Sequence, residues 1–108
     1  TELQDHQGAI ADCSTAVEIN PQDAFAYNNR AASKDQLKDY RGAVADYSKA
    51  VEIYPQYGMA YNNRGVSVYN LNRDAESACN DFKQAASLGY EPRINWLKSE
   101  EGKWCRDM

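Results

Sequence analysis

Histidine occurs once in this 108-residue chain, cysteine and proline three times each, and glycine six times. His6 and the cysteines Cys13, Cys79 and Cys105 form no CxxC pair and no zinc spacing, which excludes a metal centre built from those ligands. A Cys13–His6 nucleophile pair is excluded as well, because seven residues of helix rise about 10 Å, too far for proton transfer. The expected state of Cys13 and Cys79 is a small buried apolar residue, with Cys105 exposed near the end. Their simplest setting is the cytoplasm or another reducing compartment. No apolar run approaches the roughly 18 residues of a membrane-spanning helix, so no direct membrane insertion is expected. Basic charge is also short, with 12 Lys and Arg against 16 Asp and Glu. A net charge of −4 argues against a nucleic-acid or anionic-membrane surface. There is no Gly-rich phosphate loop and no nucleophile with a spaced base, so neither catalysis nor a cofactor is expected. Scarce proline and glycine favour helices over many short strands.

What the chain has is a repeat. GAIADCSTAVEINP at 8–21 matches GAVADYSKAVEIYP at 42–55 in 10 of 14 places, an offset of 34. AFAYNNRAASKDQL at 24–37 matches GMAYNNRGVSVYNL at 58–71 in 7 of 14 at the same offset. Both segments have helical rhythm: Ala43, Val44, Tyr47, Ala50, Val51 and Tyr54 in one, Tyr57, Tyr61, Gly65, Val68 and Leu71 in the other. Pro21 and Pro55 end the helices before them. A third copy, Asp81-Phe82-Lys83-Gln84-Ala85, follows at an offset of 35. The extra residue fits best in the turn around Asn72-Arg73-Asp74, with Asp74 as an N-cap and Gly89 as a left-handed stop. Pro92 opens a last helix in which Trp96 and Trp104, eight residues apart, share one face. That pair either packs as core or offers a docking patch, with Arg93, Lys98, Glu100, Glu101, Lys103 and Arg106 as a polar outer face.

These residues resemble the tetratricopeptide repeat (TPR), in the YNNR/YNRG variant familiar from bacteria. The aromatics Tyr27, Tyr40 and Tyr47, the small residues Ala31, Ala43 and Ala50, and Pro55 stand where that family places such types. Tyr61, Gly65, Ala78, Phe82 and Ala85 do so in the next copy. Arg30, Arg64, Lys34, Val68 and Cys13 depart from the pattern. The resemblance implies an all-α fold of antiparallel helix-turn-helix repeats, stacked in a right-handed α-solenoid with a C-terminal capping helix. The expected division is 1–22 as the second half of a truncated repeat, 23–56 and 57–91 as complete repeats, and 92–108 as the cap. On this register residues 1–7 are the end of an earlier helix and its turn, with more of the protein upstream.

The resemblance also implies a concave groove lined by the first helix of each repeat. Its variable positions are Phe25, Asn28, Asn29, Ala32, Asp35 and Gln36, then Met59, Asn62, Asn63, Val66, Tyr69 and Asn70. Amides suit the backbone of an extended peptide, and Phe25, Met59 and Tyr69 can hold its side chains. The cations of the family's carboxylate clamp are absent at Phe25, Asn29, Met59 and Asn63. Arg30 and Arg64 either reach carboxylates such as Asp46 and Asp81 or bind an anion directly. Glu18, Glu52, Asp12 and Asp46 read as solvated outer faces. The expected function is a scaffold that binds a protein or peptide partner. The alternatives are a regulatory segment of a larger enzyme and a subunit of a large assembly docking through its convex face or last helix.

Overall fold

The computed structural model describes all residues from Thr1 to Met108. Seven helices follow one another: α1 Glu2–Ile19, α2 Ala24–Gln36, α3 Tyr40–Ile53, α4 Gly58–Asn72, α5 Ala75–Ser87, α6 Glu91–Lys98 and α7 Lys103–Arg106. Each packs against the next in sequence, and α2 also meets α4, so the all-α chain is a stack of antiparallel helix pairs. Its extents are 41 × 28 × 20 Å.

The turns are built by capping chemistry. Asp23, Asp39 and Asp74 each accept a backbone N–H three residues on, at 3.0–3.1 Å. At the far ends of α2 and α5 the chain makes the same double closure. Asp39 N–H reaches the Lys34 carbonyl and Tyr90 N–H the Ala85 carbonyl, across Lys38 (φ 63°) and Gly89 (φ 89°) in the left-handed region. The extra residue of the third copy lies in α4, which runs to Asn72 before the left-handed Arg73 (φ 58°) and the Asp74 cap.

Small residues set the spacing of the stack. One core joins Ala24, Ala31, Ala43, Tyr47, Ala50, Val51 and Ala60 across α2, α3 and α4, with Tyr27, Tyr57 and Tyr61 against it. A second joins Ala78, Cys79, Phe82 and Cys105, with Trp96 and Leu97 alongside. Tyr54 and Leu71, expected on buried stripes, are exposed at the ends of α3 and α4. Gly65 is where α4 touches α5: a Cβ there would lie 2.7 Å from the Phe82 ring and 3.0 Å from the Ala78 carbonyl. Gly65→Ala is therefore expected to cost about 1–3 kcal/mol. Gly8→Ala, in the middle of α1 with open space around it, is expected to gain about 1 kcal/mol from helix propensity. Urea denaturation of both variants checks the contrast.

Three expectations are corrected. The turn expected within residues 1–7 is absent: α1 is continuous from Glu2, with Asp5 inside the helix. The expected helix over 92–108 is two helices. Ser99 ends α6, Arg106 donates to the Leu97 carbonyl at 2.8 Å, and Gly102 packs against the backbone of Trp96 and Leu97 with no room for a Cβ. Trp96 and Trp104 do meet, edge to face at 5.7 Å, but through this fold-back and not by sharing a helical face. Finally, Cys105 is fully buried and disulfide-bonded to Cys79, leaving only Cys13 as a half-buried free thiol. The reading of three separate reduced cysteines fails because α7 folds back onto α5 and brings residues 26 apart in sequence together.

Candidate functional site

The first helices of successive pairs, α2 and α4, carry the expected binding residues, and the structure divides them into two sets. Phe25, Asn29, Met59, Val66 and Tyr69 are exposed, as are Gln36 and Asn70, while Ala32 and Asn63 are half-buried. Asn28 and Asn62 are not surface residues, at 4% and 9% exposure. Each lies on the side of its helix that packs inward. Asp35 is occupied too. It accepts from the Tyr47 hydroxyl at 2.9 Å and the Ser67 hydroxyl at 2.7 Å, tying α2 to α3 and α4. Burial holds the Asp35 carboxyl above the usual carboxylate range, against the lowering effect of those two bonds. Burial and the adjacent Asp35 carboxylate push the Tyr47 phenol up as well.

The two buried asparagines occupy equivalent places but differ in chemistry. Asn62 Oδ1 accepts from Arg93 Nε at 2.6 Å, whereas Asn28 Oδ1 is buried with no partner. Asn62→Ala strips Arg93 of that bond and is expected to cost about 1.5–3 kcal/mol. Asn28→Ala breaks no hydrogen bond and is expected to cost less than about 1 kcal/mol. Thermal denaturation of the pair reads the difference.

Of the two roles open to Arg30 and Arg64, the structure shows the ion pair. Arg30 grips Asp46 through Nε and Nη2, both at 2.8 Å, and donates to Ser14 at 3.2 Å. Arg64 repeats this on Asp81 at 2.9 and 2.8 Å, with Ser48 at 3.3 Å. The bond to its carboxylate raises the pKa of each guanidinium. Asp46 is consequently buried and not part of a solvated outer face. Lys34 joins it at 3.0 Å, so one carboxylate holds two cations.

Two features were missed in the sequence. Tyr54 and Tyr57, on either side of Pro55, gather with Phe25 at centroid distances of 5.3–6.3 Å. Their aromatic edge borders a cleft of about 510 Å³ lined by Asn20, Asp23, Phe25, Ile53 and Tyr54. The aromatics flanking Pro55 were the available signal. Arg93, expected on a polar outer face, is instead half-buried, its guanidinium 3.8 Å from the Phe82 ring centroid and 4.6 Å from that of Trp96. No sequence signal distinguished it from the other basic residues near the end.

The tetratricopeptide repeat family model matches residues 24–57, the segment that runs from α2 through α3 to the Pro55 turn. Residues 24–57 are a tetratricopeptide repeat. The whole stack is similar to solved TPR domains. The first TPR of Spaghetti (RPAP3), bound to the HSP90 peptide SRMEEVD, superposes with a TM-score of 0.82 at 23% identity, covering 96% of this chain and 79% of that one. The TPR2B domain of yeast Sti1, in a complex with pHsp70, gives 0.76 at 26% identity over 94% and 80%. No curated protein matches the chain. The TPR fold accounts for the pairwise helix stacking, and the solved TPR domains share it across nearly the full length of this chain.

Proposed function

We propose that this TPR stack is a protein-interaction module that holds an extended peptide or a partner subunit on the face formed by α2 and α4, without catalysis. The observation that carries the reading is a set of apolar side chains left uncovered there: Phe25 and Met59 at equivalent repeat positions, with Val66 and Tyr69 along α4. Phe25 stays 59% exposed even with Tyr54 and Tyr57 against it, and side chains at a 34-residue interval line up along a repeat stack. Exposed Asn29 and half-buried Asn63 add amide donors and acceptors for a peptide backbone. The solved TPR domains of like fold were captured in complexes with an HSP90 peptide and with pHsp70, which supports a protein or peptide partner for this stack.

The test replaces Phe25, Met59 and Tyr69 together by serine, leaving buried Asn28 and Asn62 intact. Retention of a library of unstructured nonapeptides on the immobilised chain is expected to fall at least about tenfold, since three apolar contacts of about 1 kcal/mol or more each are lost. Unchanged retention by a variant with an intact circular-dichroism spectrum would sink the reading.

A further inference from the structure

The cleft of about 510 Å³ between the α1–α2 turn and the end of α3 combines two kinds of group that this chain elsewhere brings together around a guanidinium. Arg30 lies 5.5 Å from the Tyr27 ring centroid while it grips Asp46, and Arg64 lies 5.3 Å from that of Tyr61 while it grips Asp81. In the cleft the rings are Phe25 and Tyr54 and the carboxylate is Asp23. Tyr57 packs behind both rings, at 5.3 and 5.5 Å, and so fixes their positions. Asp23 is half-buried and forms no ion pair. Its Oδ1 takes the Ala26 N–H at 3.1 Å as the cap of α2, and its Oδ2 accepts no bond within the chain. No Lys or Arg lines the cleft. The next layer does not repeat this set: Tyr57, Met59 and Gly89 stand at the equivalents of Asp23, Phe25 and Tyr54, at offsets of 34, 34 and 35.

We propose that this cleft receives an arginine side chain of a partner protein, with Asp23 Oδ2 accepting from the guanidinium and the Phe25 and Tyr54 rings packing against its plane. Only Phe25 is shared with the α2–α4 face, so the site adds a second contact region at the edge of the stack. The charge is complementary, since a carboxylate without a cation faces the ligand in a chain of net charge −4. Arginine fits better than lysine because a planar guanidinium meets aromatic rings with its face and a carboxylate with its edge at once, whereas an ammonium is a strongly hydrated point charge. The volume suffices for a long side chain.

NMR titration with N-acetyl-arginine amide tests the site without any peptide backbone on the α2–α4 face. Saturable amide shifts are expected at Asn20, Gln22, Asp23 and Tyr54, and none of them with the citrulline analogue, which has the same shape without the charge. Asp23→Asn should weaken binding about tenfold, and Tyr54→Leu about threefold. Both variants should keep the circular-dichroism spectrum, because Asn caps a helix about as well as Asp and Tyr54 is exposed. Equal shifts with citrulline, a lysine analogue that binds as tightly, or affinity unchanged in Asp23→Asn overturns the proposal. Shifts spread over the other acidic residues would show a non-specific counterion and also overturn it. Free arginine binding more tightly than its blocked form would mark a small-molecule site and overturn the assignment to a partner's side chain. Each of these outcomes leaves the reading of the α2–α4 face standing, because neither Asp23 nor Tyr54 belongs to that face.

Discussion

Replacing Asp46 by alanine is expected to remove about 3–5 kcal/mol of folding stability, because one buried carboxylate satisfies two cations from α2. Arg30 would lose both arms of its fork and Lys34 its only partner, leaving two like charges facing each other in a half-buried layer between α2 and α3. Against the roughly 5–15 kcal/mol that holds a typical domain, that loss is large enough to unfold a substantial fraction of the chain. The cost comes mainly from stranding the cations and not from a net gain made by the pair. The double change Arg30→Met with Asp46→Leu is therefore expected to cost less than Asp46→Ala alone. Urea denaturation of the three proteins gives the answer. A single substitution costing under about 1 kcal/mol would mean that the pair is a solvated surface contact.

Reduction of the Cys79–Cys105 bond is expected to cost about 3 kcal/mol, from the entropy of closing a 26-residue span in the unfolded chain. The loss should concentrate at the C-terminal end. The α7 helix is a single turn held by Cys105, by the Trp96–Trp104 contact and by the Arg106 bond to Leu97. Tryptophan emission should shift to the red on reduction, since Trp96 packs on the core that contains this bond and Trp104 packs on Trp96. Thiol titration should count one reactive group, Cys13, in the native chain and three after reduction and unfolding. Three thiols in the untreated protein, with an unchanged melting temperature on adding reductant, would contradict the pairing.

The parts of the structure legible in the sequence are those fixed by spacing along one or two helices. The 34-residue offset gave the helix pairs, because the tyrosines and alanines of the core recur at the interval the stack requires. Asp74 and Gly89 were readable as caps since their chemistry acts within one turn. Even the guanidinium–carboxylate rungs were foreseeable, as Arg30 and Asp46 lie 16 residues apart and Arg64 and Asp81 17, a difference that is the one extra residue of the third copy. The candidate site was legible in its helices but only partly in its residues. Asn28 and Asn62 share a doublet with exposed or half-exposed neighbours, and which member turns inward depends on how α2 and α4 are rotated against the stack. The C-terminal end was the least readable. Whether Trp96 and Trp104 share one helix depends on the backbone contact at Gly102, and the partner of Cys79 depends on the fold-back that follows. Both are decided by packing between elements distant in sequence, where the repeat has no third example to compare.

The central claim is that the exposed face of α2 and α4 is the binding surface. Amide chemical-shift mapping with a retained nonapeptide tests it most directly. The account predicts perturbations at residues 25, 29, 59, 63, 66 and 69. Perturbations confined to α1, α3 and the outer side of α5 would contradict it.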